Sequence, residues 1–87
     1  MENNIKVVDL QSHVGQEITS FYLVAEKELR EGKNDHYLRL KLRDKSSSVS
    51  ANVWKDAKNA AEGFEAGDVI KIKGNVVSYK GQIQISI

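Results

Sequence analysis

At 87 residues, 40% of them hydrophobic, the chain has material for one small domain with a single core, near the lower size at which domains fold unaided. It has no cysteine, and its two histidines, His13 and His36, lie far apart without a ligand-spaced companion. Disulfide staples, metal sites and cofactor chemistry are therefore not expected. A net charge of +1 excludes capture of polyanions by bulk charge, so any anion site must be local. No apolar run is long enough to cross a bilayer, and Met1 to Asn4 is too short and polar to open a signal sequence, so the cytosol is the default setting.

Residues 1–15 read as a lead-in holding one short extended or helical piece, punctuated by Gly15. From Glu17 to about Glu28 the chain is β-branched and aromatic but apolar on both parities. That pattern suits a long bent strand whose buried side changes along its length, with Phe21 and Tyr22 both expected in the core. Leu29 to Asp35 contains Gly32, Lys33, Asn34 and Asp35 and reads as a mobile loop.

His36 to Asp44 then alternates without a break. Leu38, Leu40 and Leu42 share one face, while Tyr37, Arg39, Lys41 and Arg43 share the other. A polar turn over Asp44 to Ser48 leads into a third strand, Val49 to Trp54, with Val49, Ala51 and Val53 inward and Ser50, Asn52 and Trp54 outward beside the cations. A short helix is predicted from about Asp56 to Glu62, capped by Asp56, ended by Gly63 and backed by Phe64.

The fourth strand, Val69 to Val77, points Ile70, Ile72 and Val76 inward and carries Gly74 on the same parity, where a missing side chain permits a sharp bend or a close approach. Ser78 to Gly81 makes the last hairpin turn, and Ile83, Ile85 and Ile87 alternate with Gln82, Gln84 and Ser86 in the fifth strand. Three strands, a short helix and two strands is the order of an all-β, five-stranded OB-fold Greek-key barrel; an SH3-like barrel would not normally place a full helix there. The pattern is still running at Ile87, so residues 1–87 are expected to be one domain of a longer polypeptide.

Leu10 to Thr19, Leu40 to Asp44 and the strand from Val49 resemble the anticodon-binding OB domain of class II aminoacyl-tRNA synthetases, and Gly67 to Val76 is common to the wider nucleic-acid-binding OB group. A closer resemblance is to the N-terminal OB domain of YhaM-type 3′-to-5′ exoribonucleases. It is carried by Ser20 to Val24, Leu38 to Lys45, Ala51 to Lys55 and Ser78 to Gln82. It implies a domain that feeds substrate to an HD nuclease domain elsewhere in the polypeptide. In the synthetases an outward aromatic of strand two stacks on an anticodon base and an outward glutamine of strand three reads one; the matching positions are Arg39 and Ser50. A guanidinium plane can stack on a base and a hydroxyl can hydrogen-bond to one, but reading of a specific anticodon is not implied.

On the OB plan the ligand lies across strands two and three, flanked by the loops between strands one and two and strands four and five. Tyr37, Arg39, Lys41, Ser50, Asn52 and Trp54 then form the floor, with Lys33 and Asn34 on one wall and Tyr79 and Lys80 on the other. Cations tracking phosphates and planar groups stacking on bases are what single-stranded nucleic acid requires, so single-stranded RNA or DNA is the expected partner, with RNA favoured by the resemblance.

Three of these residue groups also have plain structural readings. Trp54 could seal the barrel beside the helix, Tyr79 could lean on strand five, and cations on a strand face also keep a sheet soluble. Lys71 and Lys73 read as a solvated face. The same face could instead dock a protein or a neighbouring domain. The chain holds no nucleophile–base grouping, phosphate-cradling glycine loop or ligand cluster, so no catalysis, small-molecule substrate or membrane partner is expected of it.

Overall fold

The alternation that starts at His36 becomes the middle of a closed barrel. The computed structural model describes residues 4–33 and 35–87. It contains strands β1 (Glu17–Glu31), β2 (His36–Arg43), β3 (Ser48–Val53), β4 (Val69–Tyr79) and β5 (Gln82–Ser86), with helix α1 (Ala57–Glu62) between β3 and β4. Neighbours run β1-β2-β3-β5-β4 and β4 returns to β1, so the sheet has no free side. All pairings are antiparallel except β3 with β5. Leu38, Leu40 and Leu42 are buried with Ile18, Tyr22, Val24, Val49, Ala51, Ile72, Val76 and Ile85 in one core.

The bend expected in β1 is a bulge at Ala25. Before it, Ile18, Ser20, Tyr22 and Val24 face inward. The register with β2 shifts between Val24 and Glu26, after which Lys27 lies opposite Leu40 and Leu29 opposite Leu38. One extra residue thus transfers the inward parity from even to odd positions and lets β1 serve both β4 and β2. Phe21 stays on the outward parity and is only half-buried, so Tyr22 alone of the aromatic pair is core. Leu29 to Glu31, expected in the loop, continue β1, because antiparallel pairing with His36 to Leu38 satisfies their backbone.

Three further local features bear on the site. Asp56 does not cap α1 with its side chain; it adopts a left-handed conformation (φ 50°) and its carbonyl accepts the Ala60 amide at 2.9 Å. At Gly74 β4 comes close to the end of β5: a Cβ there would lie 2.6 Å from the Ser86 carbonyl oxygen, a distance that side chains essentially never show. The β4–β5 hairpin turns on Lys80 and Gly81, both with positive φ, as a two-residue turn matched to strand twist requires.

The lead-in forms a 3-10 helix, Val7–His13, that buries Val7 and Leu10 against the barrel. It is held by the Asp44 carboxylate, which accepts the Val7 amide at 2.9 Å, and by the Tyr22 hydroxyl, which donates to the Ile5 carbonyl at 2.6 Å. The buried Ser20 hydroxyl accepts the Ile5 amide and donates to Asn4, so the polar residue among the core positions of β1 is fully used.

Candidate nucleic-acid interface

Register decides which side chains meet on the outer face. Arg39 lies opposite Asn52, and Lys41 opposite Ser50. The parallel pairing of β3 with β5 sets Gln84 beside Ser50 and Ser86 beside Asn52. Just past the end of β3, Trp54 reaches back over this face. Its ring centroid is 5.0 Å from that of Tyr37, tilted by 32°, and its indole Nε1 donates to the Ser86 hydroxyl at 3.1 Å. Trp54 is 52% exposed and Tyr79 58% exposed, so neither ring serves as a plug; both present aromatic surface to solvent.

Tyr37, Arg39, Asn52, Trp54, Tyr79 and Gln84 line one shallow groove of about 390 Å³. Five of the residues expected from the sequence are therefore brought together. Lys41 and Ser50 are next to it but border a separate hollow with Glu26, Glu28 and Arg39. Lys80 sits on the hairpin turn with its ammonium 5.4 Å from the Tyr79 ring centroid, a cation held over an aromatic face. Lys33 is exposed in the β1–β2 loop and does not line the groove. Asn34 lies outside the described residues.

The sequence reading missed two groups. Gln84 and Ser86 join the face because β5 runs parallel beside β3; their alternation with isoleucines was the signal, and only the strand order assigns them to this side. Glu26, Glu28 and Arg30 arrive from β1, opposite Lys41, Arg39 and Tyr37 respectively. The cations of β2 therefore do not stand alone: two carboxylates share their surface. Among the described residues neither Arg39 nor Lys41 forms an ion pair, whereas Arg30 donates to Glu28 at 2.8 Å. Hydrogen bonding to Tyr37, and then to Glu28, pushes the Arg30 guanidinium further up, so it is charged throughout.

One atom on the groove floor is unusual. The Oδ1 of Asn52 is buried and has no hydrogen-bond partner. Buried acceptors are normally paired, and an unpaired one costs about 1–3 kcal/mol.

The arrangement thus offers stacking surfaces, guanidinium and ammonium groups and neutral polar side chains on one strip of sheet. Among the described residues no group of histidines or carboxylates could hold a metal ion. No helix among them is long and apolar enough to cross a membrane.

Three solved structures share the architecture. The HINb domain of p204 superposes with a TM-score of 0.79 at 18% identity, over 99% of this chain and 43% of that one. RecG, in a structure bound to a three-way DNA junction, gives 0.75 at 22% identity, over 95% and 12%. The second OB-fold domain of replication protein A from Methanococcus maripaludis gives 0.69 at 20% identity, over 95% and 87%. The chain spans less than half of the p204 and RecG chains, and at these identities the likeness is one of fold. The model of the OB-fold nucleic acid binding domain of the tRNA anti-codon type matches residues 22–87, three quarters of the sequence and nearly the whole barrel, and the chain belongs to that family.

Proposed function

We propose that this domain holds single-stranded nucleic acid, RNA in preference to DNA, with little sequence selectivity, and presents it to a nuclease domain elsewhere in a longer cytoplasmic polypeptide. The observation that carries the reading is the Tyr37–Trp54 ring pair, 5.0 Å between centroids, with Trp54 exposed and Tyr37 half-buried in the groove beside Arg39. Rings on a sheet face are a platform for bases, each stacked base contributing about 1–3 kcal/mol whatever its identity. Arg39, Lys41 and Lys80, with Lys33 at the loop, supply phosphate contacts. The chain acts by binding alone. Preference for RNA and the HD nuclease partner draw on the resemblance to the YhaM-type domain; the physical test of the RNA preference is the 2′-hydroxyl, which separates RNA from DNA of equal sequence.

The test is fluorescence anisotropy with a labelled single strand of about 12 nucleotides, within the span of one OB-fold, as RNA and as DNA, at about 50 and about 200 mM salt. Binding should weaken with salt. Trp54→Ala or Tyr37→Ala should lose roughly 5- to 150-fold in affinity, the equivalent of about one stacked base. A second reading, docking of a protein or neighbouring domain on this face, draws on Glu26 and Glu28, which place negative charge beside the cations. Absence of binding to either strand at high protein concentration rejects the nucleic-acid reading in favour of docking.

A further inference from the structure

The outer face of β2 does not end at the aromatic groove. Arg39 borders both that groove and the hollow that holds Lys41 and Ser50. Lys41 in turn borders a third hollow of about 430 Å³ at the β2–β3 turn, where Arg43, Lys45, Ser47 and Ser48 also stand. Three adjoining depressions therefore follow the alternation of β2 out to its end. At about 3.3 Å per residue, Arg43 lies roughly 20 Å along the strand from Tyr37.

The third hollow has the chemistry of a phosphate site. Three cations, Lys41, Arg43 and Lys45, face two carboxylates, Glu26 and Asp44. Among the described residues none of the three is in an ion pair. Asp44 is committed elsewhere: one oxygen accepts the Val7 amide at 2.9 Å, and the other accepts the Ser46 amide at 2.8 Å, the Ser46 hydroxyl at 2.5 Å and the Ser47 amide at 3.1 Å. With the Asp44 amide donating to the Ser47 carbonyl at 3.1 Å, these bonds fix the turn that carries Lys45, Ser47 and Ser48. The donors are thus mounted on a braced turn, while the aromatic surface lies at the other end of the strand.

We infer that this hollow is a phosphate-binding extension of the nucleic-acid face, engaged by the backbone of a strand already stacked on Tyr37 and Trp54 and long enough to follow β2 to its end. The inference rests on the nucleic-acid reading. It predicts that Arg43 and Lys45 matter for long ligands only.

The test compares single strands of about 4 and about 12 nucleotides, the lower and upper parts of the range one OB-fold covers, on wild type and on Arg43→Gln/Lys45→Gln. The Gln side chains keep the length and polarity without the charge, and thermal unfolding verifies that the variant is folded. The variant should bind the longer strand several-fold more weakly. Loss of two phosphate contacts should also flatten the slope of log K against log salt by about 1.4, with the shorter strand unaffected. Unchanged binding of the longer strand by a folded variant overturns the inference while leaving the aromatic site standing. Equal weakening for both lengths also overturns it, since the two cations then act through the general field of the domain. Wild type that binds neither length removes the nucleic-acid reading itself, and the inference with it.

Discussion

At Asn52 stability and the proposed binding role make opposite demands. Its Oδ1 is covered, unpaired and flanked by the groove residues, so in the free protein it is a small liability. Replacing a polar group that has no partner with an apolar group of similar shape removes the unmet demand for a hydrogen bond. Asn52→Leu should therefore leave thermal stability unchanged or raise it by about 1 kcal/mol. The same change should weaken binding of a single strand, because a neutral amide in the groove floor is lost between Arg39 and Ser86. A residue kept for packing would show the reverse, a lowered melting temperature with binding intact. Measuring both on one variant separates the two roles.

Asp44 is one of several ties between the lead-in and the barrel, beside Ser20, Tyr22 and the burial of Val7 and Leu10, and its tie has a pH dependence whose sign is fixed. Burial alone raises the Asp44 carboxyl, but the Ser46 hydroxyl and the amides of Val7, Ser46 and Ser47 together outweigh it and hold it below its ordinary value of 3.8. A carboxyl lowered in the folded state adds stability that is present above the unfolded pKa and is lost as pH falls through the folded one. Wild type should therefore be more stable than Asp44→Asn at neutral pH, with the gap closing below about pH 4. Protection of the Val7 amide from hydrogen exchange should fall in the same window. A gap independent of pH would mean that the side chain matters by shape and not by charge. The elements themselves were largely legible, because period-two alternation in β2, β3 and β5 states which face is buried. The bulge at Ala25 was legible only as an ambiguity, since one inserted residue exchanges the faces of everything after it. Lys27 shows what was not legible. Flanked by Glu26 and Glu28 it looks like surface charge, yet it faces inward beyond the bulge. There its ammonium donates to the Ala61 and Phe64 carbonyls at 2.5 and 2.7 Å, fastening the end of α1 to the barrel.

The same long-range pairing governs the electrostatics of the domain. With 13 cations against 12 anions the chain has little net field to steer a polyanion, so affinity depends on which charges the fold places together. The sequence displays the cations of β2 in one run, but the register of β1, which no local pattern states, sets Glu28 opposite Arg39 and Glu26 opposite Lys41. Directly opposed side chains on a sheet are roughly 5 Å apart at Cβ, well inside a Debye length of about 10 Å at 0.1 M salt. The two carboxylates therefore lower the potential that a phosphate meets on this face. Glu26→Gln/Glu28→Gln moves the net charge from +1 to +3, one unit for each carboxylate removed, without adding a cation. The double variant should bind single-stranded RNA more tightly, by roughly 2- to 10-fold at low salt, given about 1 kcal/mol per close charge pair in water. The gain should shrink as salt rises, because screening already hides the removed charges. Salt titrations of wild type and variant side by side decide the matter. Weaker binding by the variant would overturn this account and mean that the carboxylates are themselves contacts to the RNA, accepting hydrogen bonds from base amino groups or sugar hydroxyls.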